Sequence, residues 1–237
     1  MKIISLLIGK ANSSGFPGKN IMEINGMPSC EYACKISSEL NVERSYVSTD
    51  CPHIARIASN YNFKHIVRPP ELATTDALTE DALQHAYNEI LKDGDFDLVV
   101  LMFANNPAIS LNLVKEGIDS LIKDETYDSA FSVCKYNMFS PARARKIEEN
   151  TIKPFIDLDL MENVSSIRSS QGDAYFCDLS VQVIRSRVFK EMDMGQLPFK
   201  WQGKKSMPLF NNYGFDIDEP WQKVAIEKWL KDNWNIK

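Results

Sequence analysis

The sequence predicts an α/β fold in three layers, α/β/α: a mainly parallel sheet with helices on both faces and one small excursion. Three observations carry that expectation. Ile3 to Ile8 is a nearly unbroken apolar run, the mark of a strand buried on both faces. Phe96 to Phe103 is a second, more hydrophobic run, suited to the centre of a sheet. Strand-like runs and stretches of helical period alternate as far as Val133.

The elements follow in order. Beyond the first strand and a polar loop, Asn25-Gly26 signals a turn within Ile21–Pro28. Ser29 caps a helix to about Leu40, with Tyr32, Ala33, Ile36 and Leu40 on one face. Arg44–Ser48 reads as a strand leading into Thr49-Asp50, and Pro52 suits the start of a helix burying Ile54, Ala55, Ile57, Ala58 and Tyr61. His65–Val67 is a short strand before Arg68-Pro69-Pro70, and Thr79 opens a helix to about Leu91. Asn105-Asn106-Pro107 ends the central strand; a helix over 111–123 and a strand over 129–133 follow. From Lys135 to about Gly172 the alternation stops, in a charged excursion. A strand over 174–184, a short helix over 187–192 and a strand end at Gly214–Asp218 come next. The last helix starts at Glu219-Pro220, with Trp221, Val224, Ala225, Trp229 and Leu230 as its apolar positions.

At 237 residues the chain suits one domain over 1–237, with the excursion at about 135–172. A net charge of −5 argues against a general nucleic-acid or anionic-membrane binder, while leaving room for a local basic pocket. Met1 leads straight into a strand and no apolar run approaches membrane-spanning length, which predicts a cytoplasmic protein. The five cysteines form no C-x-x-C pair and have no histidine at ligand spacing, so they read as buried small hydrophobes.

Chemistry is concentrated in the loop after the first strand. Gly9 to Asn20 is rich in Gly, Ser and Pro and is bracketed by Lys10 and Lys19. Such a loop brings backbone N–H groups close to an anion, since Gly15 and Gly18 lack an obstructing Cβ, and two ammonium groups match a polyphosphate. It stands at the carboxyl end of a strand, where open α/β sheets bind ligands. The pattern is neither G-x-x-x-x-G-K-[ST] nor G-x-G-x-x-G, and by itself it also describes an ordinary surface turn. Asp216 and Asp218, two apart on an extended segment, would point to the same side; an Asp before a helix is equally a cap.

Five segments together resemble the CMP-sugar synthetase family, most of all its acylneuraminate cytidylyltransferases. They are Ser13-x-Gly15-Phe16-Pro17-Gly18-Lys19-Asn20, Val47-Ser48-Thr49-Asp50, Arg68-Pro69-x-Glu71-Leu72-Ala73, Asp76-Ala77, and Phe215-Asp216-Ile217-Asp218. The resemblance spans nearly the whole chain. It implies a Rossmann-like nucleotidyltransferase (GT-A-like) sheet, transfer of CMP from CTP to an acidic 2-keto sugar, and Mg²⁺ on Asp216 and Asp218. It implies a homodimer, for which the excursion is the expected arm. Lys19, Lys10 and Asp216 are the implied catalytic residues. Lys10, Ser13, Gly15, Lys19, Asn20, Arg68, Ala77 and Thr79 would hold the nucleotide. Arg143, Arg168 and Tyr175 would hold the sugar. The three histidines sit in helix or strand bodies and read as structural.

The chain departs from the family's pattern in places. Ser14 stands where the family has Lys or Arg, and Lys10 where it has Arg, losing the bidentate fork. Phe103-Ala104-Asn105-Asn106-Pro107-Ala108-Ile109 replaces a Gln-Pro-Thr-Ser-Pro-Leu-Arg segment, so Phe103 takes the place of a ligand-facing Gln and Asn105 or Asn106 is left to supply an amide. Asp178-Leu179-Ser180 replaces Asn-Gly-Ala. Two neighbouring activities stay open, a 3-deoxy-manno-octulosonate cytidylyltransferase and a sugar nucleotidyltransferase using another base. A non-catalytic nucleotide-binding protein is the alternative from another class.

Overall fold

The computed structural model describes residues 1–12 and 15–236. The strands are β1 (Ile3–Ile8), β2 (Glu23–Ile24), β3 (Met27–Pro28), β4 (Arg44–Thr49), β5 (Lys64–Val67), β6 (Leu98–Phe103), β7 (Ser129–Lys135), β8 (Arg145–Glu148), β9 (Thr151–Pro154), β10 (Tyr175–Arg185) and β11 (Ser206–Asn211). The helices are α1 (Ser29–Ser38), α2 (Pro52–Ser59), α3 (Thr79–Leu91), α4 (Leu111–Lys123), α5 (Ser186–Lys190) and α6 (Pro220–Asn233).

Seven strands form the main sheet in the order β11-β7-β10-β6-β1-β4-β5. Neighbours are parallel except β10, which runs antiparallel to both β6 and β7. Side chains alternate across a strand. Leu7, Val47, Val100 and Met102 therefore pack on one face with residues of α1, α2 and α4. Leu6, Ile8, Tyr46, Val99 and Leu101 pack on the other with residues of α3 and α5. Two cores, one on each face, are the reason the apolar runs are unbroken. The cysteines of α1 lie within the first core, where burial pushes the Cys30 thiol up to about 12.

Three details differ from expectation. Ser29 is the first residue of α1 rather than its cap: its hydroxyl donates to the Ala104 carbonyl at 2.8 Å, and no side chain among the described residues caps the helix. Gly214–Asp218 is an extended segment outside the sheet, and the preceding strand is β11, which pairs with β7 at the edge. Its sequence hides it: only Leu209 is buried, and Pro208 is admitted because an edge strand tolerates a missing N–H. In α6 the buried residues are Ile226, Trp229 and Leu230, while Trp221 and Val224 stay exposed. The end of the helix packs on Ile24, Tyr32 and Ile217, and its first turn reaches over Phe215 instead.

Residues 137–172 leave the sheet as a β8–β9 hairpin and short turns. Ile147, Ile152, Phe155, Leu158, Leu160 and Ile167 are exposed along it. Among the described residues, no helix is long and apolar enough to cross a membrane.

Candidate active site

The carboxyl ends of β1 and β6, the N-terminus of α3 and the Gly214–Asp218 segment enclose a cleft of about 220 Å³. β1 and β6 converge there because residue 9 has no side chain. A Cβ at Gly9 would lie 2.5 Å from that of Ala104. Sequence reading placed the weight on Gly15 and Gly18; the close approach falls at Gly9. Gly18 contributes a left-handed turn, φ 77°, that starts the 3₁₀ turn at Lys19–Ile21. Asn20 is thereby buried, and its amide donates to the Lys10 carbonyl at 2.7 Å. The Lys10 ammonium donates to the Thr74 carbonyl at 2.9 Å, which ties the loop to the opposite wall.

That wall carries Arg68, Leu72, Ala77, Leu78 and Thr79. Arg68 is buried, and its guanidinium donates to the Ser48 carbonyl at 2.8 Å. Burial lowers its pKa, so a buried cation with spare N–H donors faces the cleft.

The acids enter from the other side. Ile217 donates its N–H to the Asn105 carbonyl at 2.8 Å, while the Asn105 amide donates to Asp216 and to the Ile217 carbonyl, each at 3.1 Å. Ile217 is fully buried, so Asp216 lines the cleft and Asp218 stands next to it, paired with Lys19. The helix-cap role is taken by others: the Gln222 side chain accepts the N–H groups of Asp218 and Glu219 at 2.6 and 2.5 Å. Burial raises the proton affinity of Asp216, and the charge of Asp218 raises it further; Lys19 and Asn105 oppose both.

The segment is anchored from behind. Cys134 accepts the Gly214 N–H at 3.2 Å, and Tyr136 donates to the Gly214 carbonyl at 3.2 Å. Asp178, buried, accepts from Ser132, from Cys134 at 3.0 Å, from Asn211 at 2.7 Å and from the Ser180 N–H at 3.0 Å.

Among the described residues no group of three or more His, Cys, Asp or Glu could hold a metal. Two carboxylates are what the protein offers, Asp216 and Asp218. That donor set suits a hard dication that completes its shell with water and substrate phosphate. Such an ion would relieve the repulsion from Asp218 that adds to burial in raising Asp216.

The cleft thus brings together Lys10, Lys19, Asn20, Arg68, Ala77, Thr79 and Asp216, drawn from segments far apart in the chain. Gly15 lies close by, its Cβ position 3.6 Å from the Asp218 carbonyl. Ser13 lies outside the described residues. The cleft does not gather Arg143, Arg168 or Tyr175. Arg143 is in the excursion, donating to Gln171 at 2.8 Å, Arg168 is exposed on a 3₁₀ turn, and Tyr175 packs edge-on against Phe210 at 5.7 Å. Of the two candidate amides, Asn105 lines the cleft, whereas Asn106 is buried and donates to the Asp178 carbonyl at 2.9 Å. Phe103 lines the cleft as well.

Comparison with known proteins gives a consistent picture. A family model described as cytidylyltransferase matches residues 7–188. The chain is 29% identical over 143 residues to N-acylneuraminate cytidylyltransferase A of Danio rerio, covering 58% of this chain and 31% of that protein, so it spans about a third of that relative's length. It is 26% identical over 246 residues to CMP-N,N'-diacetyllegionaminic acid synthase of Legionella pneumophila, covering 98% of each. Among solved structures, CMP:2-keto-3-deoxy-manno-octonic acid synthetase complexed with CTP superposes with a TM-score of 0.67 at 14% identity, over 98% of this chain and 99% of that one. That likeness is one of fold.

Proposed function

The chain belongs to the cytidylyltransferase family, and on that premise we propose that it transfers CMP from CTP to an acidic 2-keto sugar of the nonulosonate class. The observation that carries the reading is the meeting of Lys10, Lys19 and Arg68 with Asp216 in one cleft, with Asp218 alongside. Lys10 and Lys19 suit the phosphates of CTP, Arg68 suits a base beside Ala77 and Thr79, and two carboxylates suit the metal that accompanies a triphosphate.

In this reaction the anomeric oxygen of the sugar attacks the α-phosphorus of CTP. A P–O bond forms to the sugar, the bond to the oxygen bridging the α- and β-phosphorus breaks, pyrophosphate leaves, and the hydroxyl proton passes to solvent. Such transfers are accelerated by positioning and by neutralising charge on the phosphoryl oxygens. Lys10 and Lys19 neutralise the phosphates. Arg68, with Ala77 and Thr79, holds the base, and Asn20 fixes the loop against the nucleotide. Asp216 and Asp218 hold Mg²⁺, which supplies further neutralisation of the phosphates when bound.

The same reading makes the chain a homodimer working in the cytoplasm. The exposed apolar residues of the 137–172 arm support association, because an apolar surface of that extent is costly in water. Arg143, Arg168 and Tyr175 are then sugar ligands that reach a cleft only across the dimer.

The test is pyrophosphate release with CTP, Mg²⁺ and a panel of keto sugar acids, octulosonate included, repeated with UTP, GTP and ATP. Release with CTP and one nonulosonate supports the reading; release with another base, or with none, rejects it.

A further inference from the structure

The strand order fixes where an acceptor must enter. Arg68 follows β5 on one side, the Lys10–Lys19 loop follows β1, and Phe103 and Asn105 stand at the end of β6 on the other side. With the base at Arg68 and pyrophosphate leaving over the loop, in-line attack brings the sugar across the ends of β6 and β10.

The aromatic side chain that the cleft presents on that side is Phe103. Phe103 closes β6, with its ring centroid 6.2 Å from that of Trp201, which is 5.4 Å from Phe199. Leu179 packs on the same cluster from the β10 bulge, where the register breaks between Cys177 and Gln182. The N–H donors of nearby amides are already engaged. The buried Gln182 accepts from the Trp201 indole at 2.7 Å and donates to the Leu179 carbonyl at 3.1 Å. The NH₂ groups of Asn105 and Asn106 donate to Asp216, Ile217 and Asp178. Leu179 also holds a left-handed backbone, φ 55°, a conformation in which leucine is at a disadvantage and glycine is not.

Resting on the cytidylyltransferase reading, we propose that Phe103 and Leu179 are specificity-determining residues that select a nonulosonic acid bearing deoxygenated, acylamino-substituted carbons over one with a fully hydroxylated chain. A hydroxyl pressed against these two side chains gives up water and finds no partner, whereas a methyl or acetyl group packs on them.

The experiment compares kcat/KM, with CTP and Mg²⁺, for N,N'-diacetyllegionaminate and N-acetylneuraminate. An apolar pocket discriminates against an added hydroxyl by about a hundredfold at most, so the wild-type ratio should lie at ~10–100 in favour of the diacetylated acid. Phe103→Gln should bring the ratio near one through the acceptor KM. Leu179→Gly, which suits the left-handed backbone, is the second variant should Phe103→Gln fail to fold, and should narrow the ratio likewise. A wild-type preference for N-acetylneuraminate, or a ratio unmoved in the folded variants, overturns the proposal. Silence with every acid in the wild type overturns the underlying reading and the proposal with it, and is distinguishable because no acceptor then yields pyrophosphate.

Discussion

The ammonium of Lys19 donates to the carboxylate of Asp218 across 199 residues of sequence. Lys19 is largely buried and Asp218 largely exposed, so the pair sits at the rim of the cleft with its cation turned inward. In the substrate-free protein each charge compensates the other. Once phosphate and metal arrive, each has its own counter-charge.

Lys19→Met should therefore lower kcat by ~10²–10³, the usual consequence of removing one donor to developing phosphoryl charge. Its cost in stability should stay below ~1 kcal/mol, since an ion pair with one exposed partner adds little. Pyrophosphate release and urea unfolding on the same preparations check the two expectations.

The acid limb of activity should follow Asp216. Its carboxyl is held above the usual range, and metal binds only the ionised form, so Mg²⁺ affinity should fall as pH drops through that raised value. Asn105→Ala removes a hydrogen bond that favours the ion, and should shift the limb to higher pH. Stability runs with the opposite sign. A raised carboxyl pKa favours the protonated fold, so the metal-free protein gains from this group on acidification and loses it as pH rises through the folded value. Asp216→Asn should accordingly raise the melting temperature of the metal-free protein at neutral pH while abolishing turnover; calorimetry with and without Mg²⁺ is the measurement.

Gly9→Ala places a methyl 2.5 Å from the Ala104 methyl. The ends of β1 and β6 must then part, at ~1–3 kcal/mol as for other overpacked sites. Urea denaturation measures the loss, and a rise in the KM for CTP would show that the separation reaches the cleft.

Arg68→Lys keeps the charge but not the planar fork that spans Ser48 and the cleft. The KM for CTP should rise about tenfold, equivalent to ~1.4 kcal/mol, with kcat little changed. A matched fall in kcat would assign Arg68 to the phosphates instead of the base.

If the proposed dimer forms through the exposed arm, Phe155→Asp should yield monomers in sedimentation velocity where the unaltered chain gives dimers. If Arg143 acts across the dimer, Arg143→Ala and Phe155→Asp should raise the acceptor KM alike, and combining them should add nothing further.

Much of this was legible before any coordinates. Strands in both cores announced themselves because burial on two faces leaves no polar positions, and α3 and α4 begin and end where helical period predicts. Lys19 and Asp216 were legible through the family resemblance, since a polar loop is as readily a surface turn and an acid before a helix as readily a cap; the fold brings both to one cleft. β11 was not, since an edge strand with one buried residue carries no alternation. Gly9 was not, because its requirement comes from Ala104, a neighbour that sequence does not reveal. The choice of Asn105 over Asn106 was decided by which residue turns toward Gly214–Asp218, a segment that only the fold brings near.

The position of Asp216 and Asp218 after β11 has a consequence for local motion. The seven strands of the sheet are complete at Asn211, so both acids stand on a segment that the sheet's own hydrogen bonds do not hold. Its place in the cleft depends on a few contacts, the Ile217 N–H on the Asn105 carbonyl among them, and such a segment can open while the scaffold beneath it stays folded.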